Sequence, residues 1–198
     1  QAACTGFIFA YNTAQAYIQS NMCRTVLLIG SERLSRLVDW TDRGTCILFG
    51  DGAGAAVLKA AEGRAYLPVS HSDGKRGEAL TCDRYIHMDG RAVFQFAVTR
   101  VPEVIREVLT KNELLMDDID YFVLHQANRR IVEAVAKRLR QPIEKFPMNL
   151  QEYGNTSSAS IPILLDEMNR SGKLKKGQKL VVAGFGAGLS WGASIVEW

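Results

Sequence analysis

Three side chains have the chemistry of one nucleophile and two hydrogen-bond donors, and each stands at the edge of a regular element. Cys4 follows Gln1-Ala2-Ala3 and precedes Thr5-Gly6, and the apolar positions Phe7, Ile8, Ala10, Tyr11, Ala14, Tyr17 and Ile18 recur after it with helical spacing. That spacing puts Cys4 at or just before a helix N-terminus. There, orphan amides and the positive end of the macrodipole favour a thiolate and lower its pKa. An inert buried thiol is the competing reading. His125 ends the apolar run Tyr121-Phe122-Val123-Leu124, where a strand gives way to a loop and α/β folds expose functional groups. A purely structural histidine is the alternative. Asn155, in Tyr153-Gly154-Asn155-Thr156, opens a helical pattern and reads equally well as a helix cap.

Composition narrows the field in which these groups can act. With 198 residues, 47% hydrophobic and 23% charged, the chain can bury a substantial core in one or two domains. No apolar run approaches the roughly 20 residues of a membrane span, and the N-terminus lacks the basic flank of a signal peptide, so a soluble, cytoplasmic protein is expected. Cys4, Cys23, Cys46 and Cys82 form no CxxC pair, and His71, His87 and His125 are scattered, so reduced thiols and no metal site are expected. A net charge of +3 is too small to indicate nucleic-acid binding by itself. Local clusters at Arg129, Arg130, Lys137, Arg138 and Arg140, and at Lys173, Lys175, Lys176 and Lys179, suit an acidic partner or a solvated helix face.

The elements that must position the three groups follow from periodicity and punctuation. A helix after Cys4 runs to about residues 20–21, with Asn21 as a left-handed stop. Residues 25–30 read as a strand buried on both faces, residues 31–45 as a polar surface excursion, and Gly50 to Leu58 as a glycine-spaced strand. Strands at 66–70 and 85–88 enclose a polar loop, and a helix over 92–110 contains Pro102, where a kink is expected. The strand ending at His125, a helix from Asn128 to Leu139, a return at 142–148, a helix to residues 171–172, and strands at 179–185 and 190–198 complete the chain. This alternation predicts an α/β fold with a mostly parallel sheet. It also contains an echo: Cys4-Thr5, helix, strand to Gly30 and Phe49-Gly50-Asp51-Gly52 resemble Asn155-Thr156, helix, strand to Gly184 and Phe185-Gly186-Ala187-Gly188. A duplicated unit would give the helix starts at Cys4 and Asn155 equivalent places, facing one another near a pseudo-twofold axis. The expected division is 1–62, the remainder of a first half carrying the nucleophile, and 63–198, a second half carrying His125 and Asn155.

Taken together, Ala2-Ala3-Cys4-Thr5-Gly6-Phe7, Thr41-Asp42-Arg43-Gly44-Thr45, Phe49-Gly50-Asp51-Gly52-Ala53-Gly54-Ala55-Ala56, His125-Gln126-Ala127-Asn128, Tyr153-Gly154-Asn155-Thr156-Ser157 and Gly184-Phe185-Gly186-Ala187-Gly188-Leu189-Ser190-Trp191-Gly192 resemble β-ketoacyl-acyl-carrier-protein synthase III, the initiating condensing enzyme of type II fatty-acid synthesis. The resemblance implies a thiolase-like α/β fold of duplicated βαβαβαββ units, here lacking the opening part of the first. It implies a decarboxylating Claisen condensation of a short acyl-CoA primer, acetyl-CoA being expected, with malonyl-acyl-carrier protein. Cys4, His125 and Asn155 would be catalytic, and the backbone amides of Cys4 and Ala187 would form an oxyanion hole. Arg43, Phe94 and Asn128 would line the CoA or phosphopantetheine passage, with Arg130 on the carrier-protein docking face. Solvated charge for the two arginines and core packing for Phe94 are the competing readings. No cofactor is implied beyond acetyl-CoA as substrate and the carrier's phosphopantetheine. Expected partners are acyl-carrier protein, acyl-CoA, the missing N-terminal segment and a second copy in a homodimer. Neither nucleic acid nor a membrane is expected. The alternatives are an inactive fragment needing that segment, or a chalcone-synthase-like enzyme using malonyl-CoA. Gly50, Gly52 and Gly54 lack dinucleotide-binding spacing and read as close packing. Cys, His and Asn in papain-like order lack the sequence context of those proteases.

Overall fold

The computed structural model describes residues 2–198, and the order of its elements follows the predicted alternation closely. A 3-10 turn, Ala3–Thr5, leads into α1 (Gly6–Gln19), which ends at Asn21 with φ of 58°, the left-handed stop expected there. Strands β1 (Thr25–Arg33) and β2 (Asp51–Lys59) pair antiparallel, with Leu27 opposite Val57 and Gly30 opposite Gly54. After β3 (Val69–Ser72), β4 (Leu80–Cys82) and β5 (Ile86–Met88) make a small antiparallel ribbon. Helix α2 (Gly90–Lys111) starts two residues before the predicted position because the Asp89 carboxylate accepts from the amides of Arg91 and Ala92, and it continues through Pro102. Then come β6 (Tyr121–Leu124), α3 (Arg129–Leu139), α4 (Leu150–Tyr153), α5 (Ser160–Arg170), β7 (Lys179–Gly186) and β8 (Ser190–Glu197).

Four layers result. The β1–β2 pair packs on α1 and α5, those helices pack on a sheet of order β3-β8-β7-β6, and α2 and α3 cover its far side. Phe7, Ile8, Leu28, Val123, Ile161, Leu164, Leu180 and Val182 fill the space between the two sheets. Phe96, Val101, Ile105, Val132, Val135 and Phe122 belong to the core on the other side of the larger sheet. Burying side chains of this size on both faces makes the larger sheet the rigid frame of the molecule.

The pairing corrects one expectation. Only β6 and β7 are parallel; β3–β8, β7–β8 and β1–β2 are antiparallel, so the sheets are mixed. The strand predicted to be buried on both faces is covered on one. Leu27, Ile29 and Val57 point away from α1 and α5 and are 61%, 60% and 69% exposed, and neither β1 nor β2 has a further strand neighbour among the described residues. An apolar run reports what a strand can bury, and the described elements cover only one face of this one.

The internal echo is real, with a shifted register. Each half has a 3-10 turn, a helix and an antiparallel strand pair, and the turns Ala3–Thr5 and Ser157–Ala159 meet each other. Both turns open on a non-glycine residue in the left-handed region, Ala3 at φ 43° and Ser157 at φ 50°. Cys4 therefore corresponds to Ser158, whereas Asn155 lies three residues upstream, on the approach to its turn. The glycines do what their spacing suggests: a Cβ on Gly54 would stand 2.9 Å from the backbone nitrogen of Ile163 and from Pro162 Cβ, so β2 lies against α5 with no room for a side chain.

Candidate active site

Cys4 sits in its 3-10 turn at the N-terminal end of α1, packed against the end of β7. The contact requires Gly186, where a Cβ would come within 2.7 Å of Cys4 Cβ and 3.4 Å of Sγ. The thiol's surroundings reverse the sequence expectation. Burial pushes its pKa up to about 11; the Glu32 carboxylate adds to the rise, and hydrogen bonding from Ser157 and the residue's own amide offset part of it. The helix start supplies donors, but an 8% exposed thiol has lost the water that would solvate its anion.

His125 follows β6 directly and is 1% exposed. Its amide donates to the Ala183 carbonyl at 2.8 Å, Phe185 stands edge-on to the ring at 5.3 Å, and Nδ1 lies 2.7 Å from Ser160 Oγ at the start of α5. Burial holds the imidazole neutral, its pKa lowered to about 3. Gln126 keeps the loop rigid by donating from Nε2 to the Leu124 carbonyl and accepting from the Asn149 amide. Asn155 is fixed from both sides: its amide donates to Leu48 O, and its carbonyl accepts from Gly50 N. Its Oδ1 accepts the Ser157 amide at 2.9 Å, which leaves Nδ2 as the end free to donate elsewhere. Asn155 is thus a cap and a candidate donor at once.

These three groups line one cavity of about 450 Å³, together with Phe94, Asn128, Arg130, Phe185 and Gly186. Arg130 stacks over Phe94 at 5.7 Å, which brings the predicted docking residue to the mouth of the same cavity. Asn128 also caps α3 by accepting the Arg130 amide. Arg43 is exposed beside the cavity, where its neighbour Gly44, and not Arg43 itself, forms part of the wall. Ala187 occupies the turn between β7 and β8 and faces a second cavity of about 510 Å³ that also reaches Cys4. Phe7, Leu28, Leu34, Leu37, Phe49 and Ile86 make that chamber largely apolar.

Hydroxyls hold the arrangement together, and residue-by-residue reading passed over them. Thr5 Oγ1 and Ser190 Oγ are 2.6 Å apart, and Ser190 Oγ is 2.9 Å from the Ala187 carbonyl, tying the Cys4 turn to the Ala187 turn. Ser158 donates from Oγ at 2.6 Å and from its amide at 3.3 Å to Glu32 Oε1, joining β1 to the start of α5. The available signal was the run Thr156-Ser157-Ser158-Ala159-Ser160 at a helix start. A buried thiol, a neutral imidazole and an oriented amide in one cavity, with an apolar chamber beside them, can hold an acyl group on sulfur and stabilise an oxyanion on a second reactant.

Comparison with known proteins shows what the whole chain is similar to. A family model described as 3-oxoacyl-[acyl-carrier-protein] synthase III matches residues 1–74, and one described as its C-terminal part matches residues 109–198. The β-ketoacyl-[acyl-carrier-protein] synthase III of Acaryochloris marina is 49% identical over 100% of this chain and 65% of its own length. That of Clostridium novyi is 46% identical over 100% of this chain and 66% of its own. The crystal structure of 3-oxoacyl-[acyl-carrier-protein] synthase III from Aquifex aeolicus superimposes with a TM-score of 0.96 at 44% identity, covering all of this chain and 65% of that one. The chain thus spans about two thirds of the length of the relatives it matches.

Proposed function

The chain belongs to the 3-oxoacyl-[acyl-carrier-protein] synthase III family, and from that premise we propose that it carries the catalytic residues of a decarboxylating condensation between a short acyl-CoA and malonyl-acyl-carrier protein. The observation that carries the proposal is the convergence of Cys4, His125 and Asn155 on one cavity, with the Asn155 amide oriented by the Ser157 N–H. In the first half-reaction Cys4 sulfur attacks the acyl thioester carbon and CoA leaves as its thiol, taking the proton that sulfur gives up. A thiol with a pKa near 11 is overwhelmingly protonated at neutral pH, so this transfer accompanies attack. The amides of Cys4 and Ala187 receive the developing oxyanion, and the apolar chamber beside Cys4 receives the acyl chain.

In the second half-reaction the malonyl thioester enters the 450 Å³ cavity with its carbonyl oxygen toward His125 and Asn155. The bond to the carboxylate breaks, CO2 leaves, and the electron pair becomes an enolate stabilised by the two side-chain donors. The enolate carbon then attacks the Cys4 thioester and expels the sulfur as a thiolate, which takes a proton from water. Arg130 and the basic face of α3 suit the acidic carrier, and Arg43 beside the cavity suits the phosphates of CoA.

In the full-length protein, His125→Ala and Asn155→Ala are each expected to slow malonyl decarboxylation by roughly 10²–10³-fold, as losing an oxyanion donor does, while Cys4 still becomes acylated. Rapid-quench assays with radiolabelled malonyl-acyl-carrier protein read the first effect and intact-protein mass spectrometry the second. Normal decarboxylation by either variant removes the assigned role. A preference for malonyl-CoA over the carrier-bound thioester would move the chain to the chalcone-synthase-like alternative.

A further inference from the structure

We propose that Ser160 is a positioning residue that fixes the tautomer of His125, holding the proton on Nε2 so that the ring presents a donor to the cavity. The argument is a count of protons and lone pairs at one buried oxygen. Ser160 Oγ has one proton to give and two lone pairs to receive with. It lies 2.7 Å from His125 Nδ1, and the Gln126 amide donates to it at 3.3 Å. No other hydrogen-bond partner of Oγ exists among the described residues. Ser160 is 2% exposed, so water does not complete its hydroxyl.

Two arrangements are open. If Nδ1 carried the proton, Oγ would accept from both Nδ1 and the Gln126 amide, and its own proton would be buried with no acceptor. An unmatched buried polar group of that kind costs roughly 1–3 kcal/mol. If Oγ donates to Nδ1 instead, every proton at the junction has a partner and Nε2 must carry the ring hydrogen of the neutral imidazole. The second arrangement wins by that margin, which corresponds to roughly a 5- to 160-fold excess of the Nε2–H form. Turning the ring over gains nothing, because it would set Cδ2–H against Oγ and leave the same buried hydroxyl proton without an acceptor. The N-terminal end of α5, which Ser160 begins, also disfavours a second proton on the ring. His125 thereby matches Asn155, whose Nδ2 is released toward the cavity by an equivalent device, the Ser157 amide on Oδ1.

This inference rests on the functional reading above, and its test separates the two. In full-length protein labelled with 15N-histidine, the His125 nitrogens are expected to show a protonated Nε2 and a bare Nδ1 by NMR, with no substrate present. A protonated Nδ1 overturns the proposal. Ser160→Ala removes the donor to Nδ1, so the tautomers are expected to mix. Decarboxylation kcat should then fall by about twofold, the loss that mixing the tautomers toward equal populations gives, far less than the 10²–10³ of losing an oxyanion donor outright, while the variant's 15N spectrum shows both tautomers and KM and Cys4 acylation stay unchanged. Unchanged decarboxylation in Ser160→Ala, or a parallel loss of acylation and decarboxylation, overturns the proposal, the latter because it marks a merely structural serine. An Nε2–H signature in a wild-type protein that decarboxylates no malonyl thioester upholds the tautomer and rejects the reading it serves.

Discussion

The Cys4 sulfur and the His125 imidazole are both kept neutral at rest, and for the same reason: each is buried where its ion would lose hydration. For Cys4 this outweighs the helix start, because amides near the sulfur stabilise an anion by less than the water they replace. Glu32 opposes the thiolate further, so Glu32→Gln, which can still accept from Ser158, is expected to shift the pH midpoint of Cys4 alkylation downward. An unchanged or raised midpoint would show that the carboxylate does not act on the thiol. For His125 the folded value near 3 lies below the ordinary 6.5, so across that interval the unfolded chain binds the extra proton. The stability this residue contributes is complete above about pH 6.5 and is lost as pH falls toward 3, at up to about 1.4 kcal/mol per pH unit. Urea unfolding of full-length protein between pH 4 and 7 is expected to show this slope, reduced by one proton in His125→Gln. Identical slopes would place His125 in contact with water.

At the scale of elements, the site is assembled where backbones touch. Gly186 lets the Cys4 turn lie on the end of β7, and Gly54 lets β2 lie on α5. Gly54→Ala would press a methyl onto the Ile163 backbone nitrogen and is expected to cost about 1–3 kcal/mol of stability in the full-length protein, read by denaturant unfolding. A neutral outcome would mean that the two elements separate easily. Much of this was legible from Cys4, His125, Asn155 and the glycines, because helix starts, strand ends and close-packed glycines each leave a local mark in sequence. What was not legible is long-range. The antiparallel pairing of β1 with β2 depends on contacts 18–34 residues apart. The correspondence of Cys4 with Ser158 depends on backbone φ at Ala3 and Ser157, and the raised thiol pKa on burial by elements from both halves. The continuous apolar run of β1 predicted a strand correctly but not that one face would stay open.

Over the whole molecule, that open face is the main asymmetry between halves. β7 and β8 have a strand on each side and helices across both faces, whereas β1 and β2 expose two edges and Leu27, Ile29 and Val57. Bare edges and apolar faces recruit other chains, so residues 1–198 expressed alone are expected to associate or aggregate, and co-expression with the remaining third of a relative's length is expected to relieve this. A monodisperse, cooperatively unfolding monomer on sedimentation and calorimetry would contradict it. The cavities of about 510 Å³ and 450 Å³ meet at one sulfur, so the central claim is that Cys4 carries the acyl group between two half-reactions. The most direct measurement is a pulse-chase on full-length protein. It would be incubated with labelled acetyl-CoA, freed of CoA and mapped by peptide mass spectrometry, then chased with malonyl-acyl-carrier protein. The predicted result is label on Cys4 alone, transferred on the chase to a 3-oxoacyl-carrier product with release of CO2. Label on Cys23, Cys46 or Cys82, or label on Cys4 that the chase does not discharge, would contradict it.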